Sequence, residues 1–172
     1  INVPKSDVRI GIVQWQMRLF PNFDALIRQV EYFVDAVSDY QSDFILFPEF
    51  FEAPLMADYN HLGEARAIRE LAGYTNALRE KFTEFAVSYN VNIITGSMPK
   101  VEADGHLYNV SYLCRRDGTW EKFQKVHITP SERDAWGMKG GSELKVFDTD
   151  CGKVGILICY DVEFPELARI YA

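Results

Sequence analysis

Asp43-Phe44-Ile45-Leu46-Phe47-Pro48 is a short, uninterrupted apolar run ending on a proline, and no other segment constrains the fold as tightly. A strand with one wet face alternates polar and apolar residues. A run without alternation suits a strand buried on both faces. Pro48 has no N–H to give a sheet ladder, so it stops the strand just before Glu49.

The segments around this run read as its partners and covers. Val8 to Gln16 alternates and predicts a first strand. Asn22 offers an N-cap for a helix running to about Gln41, with Leu26, Ile27, Val30, Phe33, Val34 and Val37 on one face. A partly helical polar stretch follows. A second helix is predicted from near Thr75, with Leu78, Phe82, Phe85, Ala86 and Tyr89 turned inward, and then a strand from Val91 to Ser97. Asp117-Gly118 between Leu107–Arg115 and Thr119–Gln124 is a hairpin signal. Glu143–Thr149 and Lys153–Ile158 form another strand pair, and Pro165 opens a final helix. The order predicts an α/β or α+β fold with a mixed sheet, covered by helices on at least one face. There is no internal repeat and no low-complexity tract.

Composition narrows the function classes. The 172 residues are 48% hydrophobic and carry a net charge of −7, with no cluster of Lys and Arg. A phosphate-tracking surface needs such a cluster, so no nucleic-acid partner is expected. No apolar run approaches the roughly 20 residues of a membrane-spanning helix, and no membrane association is expected. Cys114, Cys151 and Cys159 match no zinc or CxxC spacing, and His61, His106 and His127 stand apart, so no metal site is expected. Free thiols fit a reducing, cytoplasmic compartment. Ile1-Asn2-Val3-Pro4-Lys5 lacks both an initiator Met and a leader's apolar core. That start, and an end just inside a helix, lead us to expect a segment of a longer chain.

Three residues at or just beyond strand ends have the chemistry of a site, where open α/β sheets collect ligands. Cys159 lies between a buried strand and a helix, the place where a nucleophile elbow presents its side chain beside free backbone N–H groups. Glu49 sits among Phe47, Pro48, Phe50 and Phe51, surroundings that raise a carboxyl toward the range of a general base. Lys125, after the hairpin, can lower a thiol pKa or hold an oxyanion. Singly, each has a plainer reading: a buried structural cysteine, an exposed acid, a solvated lysine.

Together they change that balance. FPEFF, KFQKVHITPSE and ICYDVEFPE, in this order, resemble the three signature regions of the nitrilase superfamily of carbon–nitrogen hydrolases. The likeness runs from VRIGIVQWQ onward. Its finer pattern looks most like a branch whose members often carry an acyltransferase-like domain ahead of the hydrolase. The resemblance implies a four-layer α-β-β-α sandwich, here incomplete at the C-terminal end, with residues 1–172 forming about two-thirds of a single domain. It implies Glu49 as general base, Lys125 as oxyanion cation and Cys159 as nucleophile. Glu132 matches a second glutamate near the site, although a turn acid after Pro130-Ser131 is an equal reading. The backbone N–H of Tyr160 would be the other oxyanion donor. Phe51, Val162 and Glu163 are the candidate substrate-pocket residues, while Lys122, Cys114, Cys151 and His127 have no role in the pattern.

The activity so implied is hydrolysis of a small amide through a cysteine thioester, with no metal or organic cofactor, in a homodimer or larger assembly. Tyr160-Asp161 after the cysteine resembles amide-hydrolysing branches, whereas nitrile-directed members often have Trp-Glu. Val162-Glu163 stand where carbamoylases of the family place arginines, which points away from a carboxylate substrate and toward a neutral or amine-bearing amide. Nitrile hydrolysis, acyl transfer to an amine and a non-catalytic association module stay open from sequence.

Overall fold

In a computed structural model describing residues 7–172, the apolar run forms β2 (Phe44–Leu46). It lies between β1 (Ile10–Ile12) and β3 (Asn92–Val101), parallel to both. Phe44 and Ile45 are neighbours in sequence, yet they belong to different cores on opposite faces of the sheet. That is the double burial the missing alternation predicts. Ile1–Lys5, the start considered above, lies outside the described residues.

Helices cover one face. The Asn22 side chain accepts the Ala25 N–H at 2.9 Å and caps α1 (Phe23–Asp39), which buries Leu26, Ile27, Val30 and Val34. A 3₁₀ segment (Ala53–Tyr59) and α2 (Glu64–Leu71) lead to α3 (Thr75–Ser88), whose Leu78, Phe82, Phe85 and Ala86 are buried. These side chains meet Ile93, Met98, Val110 and Tyr112 from the sheet.

The sheet continues antiparallel through β4 (Leu107–Cys114) and β5 (Trp120–Gln124), joined at the Asp117-Gly118 turn. There Asp117 Oδ1 accepts the Thr119 N–H at 2.9 Å. After α4 (Pro130–Asp134), the two-residue β6 (Met138–Lys139) adds to the start of β4. A second sheet, the hairpin of β7 (Val146–Thr149) and β8 (Gly152–Gly155), stacks on the other face through Leu113, Phe123, Phe147, Ile156 and Ile158. Outside it lies α5 (Pro165–Tyr171), whose Tyr171 hydroxyl donates to the Ile156 carbonyl at 3.3 Å. The layers run helix, sheet, sheet, helix.

Some expected extents differ from the structure: the strand expected from Val91 to Ser97 runs on to Val101. The first strand shortens to three residues, and Ile10 and Ile12 are 57% and 65% exposed. They share a face with Phe44 and Leu46, but β7 and β8 do not reach over β1. On its other face Gly11 lets α1 in close, because a Cβ there would strike Val37. The strand expected from Glu143 begins at Val146. The strand expected to reach Ile158 ends its ladder at Gly155, whose partner Val146 is the last residue of the pairing; Ile156 and Ile158 still bury their side chains.

At the end of the sheets remote from Glu49, charge joins the layers. Arg116 pairs with buried Asp43 at 3.5 Å and with Asp150 at 3.1 Å. Asn92 Nδ2 donates to Asp150 at 2.9 Å, and the Cys151 thiol to Asp43 Oδ1 at 3.6 Å.

Candidate active site

Glu49 is placed by a close backbone crossing. It bridges to Ser97, and the Phe50 N–H donates to the Ser97 carbonyl at 2.8 Å. Gly96 makes this approach possible: its φ is +73°, and a Cβ there would run into the Pro48 carbonyl oxygen. Phe50 then adopts φ 52°, which turns the chain sharply after Glu49.

Lys125 follows β5 and is 1% exposed. Its ammonium donates to Glu49 Oε1 at 2.9 Å and to both oxygens of Glu132, at 3.0 and 2.9 Å. Glu132 is itself held by a capping box at the start of α4. Thr129 Oγ1 accepts the Glu132 N–H at 3.2 Å, and Glu132 Oε2 accepts the Thr129 N–H at 2.7 Å. Glu132 is thus at once the helix-start acid after Pro130-Ser131 and a carboxylate bonded to Lys125.

Asn109, on β4, escaped the sequence reading. Its Nδ2 donates to Glu49 Oε1 at 2.8 Å and to Glu132 Oε1 at 2.9 Å, so one amide spans both carboxylates beside the ammonium. Its backbone carbonyl accepts the Lys125 N–H at 2.9 Å. The signal was there: a buried amide inside the apolar strand LYNVSYLC requires partners.

Cys159 begins a 3₁₀ turn (Cys159–Glu163) with φ 44°, a left-handed backbone that β-carbon-bearing residues seldom adopt. As a residue it is exposed, while Cys114 and Cys151 are buried. Protein atoms crowding one side of the sulfur still desolvate it and push its thiol pKa up. The hydrogen bond to Glu49 and the charge of that carboxylate push further, against the pull of Lys125. Lys125 does pull the thiol down, as its chemistry leads one to expect, but burial and Glu49 outweigh it. For Lys125, burial acts downward, but Glu132 and Glu49 outweigh it and hold the ammonium above its usual pKa. For Glu132, burial acts upward and is outweighed by the Thr129 N–H, Lys125 and Asn109, so it stays below the usual carboxyl range.

Glu49 and Cys159 face a cavity of about 140 Å³ between the sheets, lined also by Ser97, Ser111, Ile94 and Ile156. The other pocket candidates lie elsewhere. Phe51 is fully buried among Trp15, Phe47 and Phe82, in the helix-side core. Val162 and Glu163 are exposed on the turn beyond the cysteine. Tyr160, second in that turn, has one of the early N–H groups that such turns leave without an internal partner. Among the described residues no group of three or more His, Cys, Asp or Glu side chains is placed to hold a metal ion. No described helix is long and apolar enough to cross a membrane.

The chain is similar in sequence and in fold to known proteins. The family model described as carbon–nitrogen hydrolase matches residues 9–172. "Probable hydrolase YhcX" of Bacillus subtilis is 51% identical over 165 residues, covering 96% of this chain and 32% of that protein. "Omega-amidase NIT2" of Homo sapiens is 28% identical, covering 97% of this chain and 60% of that protein. The chain thus spans less than two thirds of each of these relatives. A carbon–nitrogen hydrolase from Helicobacter pylori G27 superposes with a TM-score of 0.80 at 19% identity, over 95% of this chain and 55% of that one. An amidase from Nesterenkonia sp. superposes at 0.76 with 21% identity, over 98% and 62%. The fold is the nitrilase fold, and the chain belongs to the carbon–nitrogen hydrolase family of the nitrilase superfamily.

Proposed function

We propose that Glu49, Lys125 and Cys159 are the working residues of a small-amide hydrolase that acts through a thioester on Cys159. The observation that carries this reading is the convergence of the three. A buried ammonium bonded to Glu49 lies close enough to Cys159 to act on its thiol, although the residues come from separate segments.

The resting thiol is neutral, so a base must take its proton as it attacks, and Glu49 is the hydrogen-bonded carboxylate. The sulfur adds to the amide carbon, and the carbonyl oxygen becomes an oxyanion held by Lys125 Nζ and the Tyr160 N–H. When the carbon–nitrogen bond breaks, Glu49 returns the proton to the leaving nitrogen. Water then gives a proton to Glu49 as it attacks the thioester, and the proton passes to the departing thiolate. Glu132 and Asn109 keep Lys125 and Glu49 in place throughout.

The Tyr160-Asp161 pair and the omega-amidase among the relatives favour an amide over a nitrile. A neutral or amine-bearing substrate is favoured by the sequence, where Val162-Glu163 replace the arginines of carbamoylases, and an unchanged KM for cationic and neutral amides in Glu163→Ala would remove that refinement. Exposed Val162 and Ile170 support pairing of copies near the cysteine. The three free thiols support work in a reducing compartment such as the cytoplasm. The test is to incubate the full-length protein with a panel of amides and nitriles and measure its intact mass. Acyl adducts on Cys159 from amides, absent in Cys159→Ala, are expected. A folded protein that forms no adduct with any substrate would sink the proposal.

A further inference from the structure

The mechanism above leaves Asp161 without a role, although this carboxylate touches both halves of the site. It is fully buried, two residues beyond the nucleophile. Oδ1 accepts the His127 N–H at 2.7 Å, and Oδ2 accepts the Val126 N–H at 3.4 Å and the Ile158 N–H at 3.3 Å. The Asp161 N–H in turn donates to the Ile158 carbonyl at 2.9 Å. His127 Nδ1 lies 3.2 Å from Oδ1, and its ring stacks on Phe164 with centroids 3.7 Å apart.

Sequence order makes these contacts consequential. Val126 and His127 directly follow Lys125, and Ile158 directly precedes Cys159. Lys125 leaves the end of β5, in the large sheet, while Cys159 leaves the chain that continues β8 of the small one. No shared ladder sets the distance between those two segments. One carboxylate bonds both backbones, and charge-assisted bonds of this kind are about twice as strong as neutral ones. The same bonds close the turn in which Cys159 adopts φ 44°.

We propose that Asp161 is a positioning residue, which fixes the Lys125 ammonium relative to the Cys159 sulfur before substrate arrives. This rests on the roles proposed above for those two residues. Asparagine at this position keeps one accepting oxygen but sets an amide NH₂ against backbone donors, so the lysine and cysteine segments separate slightly. Small displacements of this kind cost about tenfold to a hundredfold in rate without removing a substrate contact.

The test compares full-length wild type, Asp161→Asn and Asp161→Glu by two readouts. One is the rate of acyl-adduct formation at Cys159 together with KM. The other is the pH profile of Cys159 alkylation by iodoacetamide, which reports the surroundings of the thiol without any substrate. For folded Asp161→Asn we expect acylation about tenfold or more slower with KM little changed, and a displaced alkylation profile. Asp161→Glu keeps the charge but moves it by one methylene, so a smaller loss in the same direction is expected. If Asp161→Asn does not fold, Asp161→Glu carries the comparison alone. Wild-type acylation and alkylation profiles in a folded variant would overturn the proposal, as would a loss that only follows the folded fraction. If wild type itself acylates with no amide, the proposed function falls. The alkylation profile then decides, a displaced one upholding the positioning role and an unchanged one overturning it.

Discussion

Lys125 Nζ lies 2.9 Å from Glu49 Oε1, across 76 residues of sequence, and 2.9 Å from Glu132 Oε2 on its other side. One buried cation thus separates two carboxylates that would otherwise repel. Lys125→Met removes the charge and nearly keeps the volume. Glu49 and Glu132 then face each other, and one of them takes up a proton to relieve the repulsion. We expect the rate of adduct formation at Cys159 to fall by about 10²–10³, the usual cost of losing an oxyanion donor. Stability should fall as well, because breaking a buried pair leaves uncompensated charge. Single-turnover mass spectrometry and denaturant unfolding separate the two losses. Near-wild-type turnover in Lys125→Met would remove the lysine from the mechanism.

The three thiols should differ sharply in reactivity. Cys159 is exposed, whereas Cys114 and Cys151 are buried, and burial pushes each of their thiols up to about 11. The thiolate is the reactive form and must be reached by the reagent, so access favours Cys159. Iodoacetamide on the native full-length protein should therefore label Cys159 first, and Cys159→Ala should abolish the fast phase. Peptide mapping that found Cys151 or Cys114 labelled at the same rate would contradict this burial pattern.

Much of this layout was legible in the residues. Asp43–Pro48 announced a doubly buried strand, Asn22 its helix cap, and Pro165 the opening of the last helix, because each depends on neighbours in sequence. Glu49, Lys125 and Cys159 could be singled out because they lie at strand ends within FPEFF, KFQKVHITPSE and ICYDVEFPE, which resemble the family's signature regions in order. Asn109 shows in sequence only as an amide inside an apolar strand, and its role comes from cross-strand placement beside a lysine and two glutamates. Phe51 looked like a pocket wall from its nearness to Glu49. The sharp turn at Phe50 instead sends its ring into the helix-side core, against Phe47 and Phe82. The first strand was drawn too long because alternation marks extended backbone but not where its partner ends: among the described residues the ladder with β2 runs from Ile10 to Ile12.

Arg116 offers a variant that should affect folding and spare chemistry. It joins Asp43 of the large sheet to Asp150 of the small one, at the end remote from Cys159. Asp43 is 3% exposed, so losing the guanidinium leaves a buried carboxylate with less compensation. Arg116→Met should cost about 1–3 kcal/mol, read as a lower urea midpoint for the full-length protein. Adduct formation at Cys159, measured well below that midpoint, should match wild type. A large catalytic loss at full folding would show that this clamp also sets the geometry of the far end.

Glu52 gives stability a pH dependence whose sign is fixed by its burial. It is fully buried three residues beyond Glu49, and neither carboxyl oxygen has a hydrogen-bond partner among the described residues. Burial pushes its pKa from 4.5 to about 8, and the charge of Glu49 adds to the rise. In the unfolded chain the group ionises near 4.5, so between that pH and about 8 the folded state holds a proton that the unfolded state has released. Stability therefore falls as pH rises through this window, by at most about 1.4 kcal/mol per pH unit, and levels off above it. The contribution is fully present below the unfolded pKa and is lost by the time the folded pKa is passed. Glu52→Gln has a similar shape and no proton to lose, so the stability difference between variant and wild type should move in the variant's favour from pH 5 to pH 8. Urea unfolding of both proteins across that range isolates the effect, because every other titrating group cancels in the difference. A difference that stayed flat from pH 5 to pH 8 would mean that Glu52 ionises alike in both states, which a carboxyl sealed in the folded core does not do.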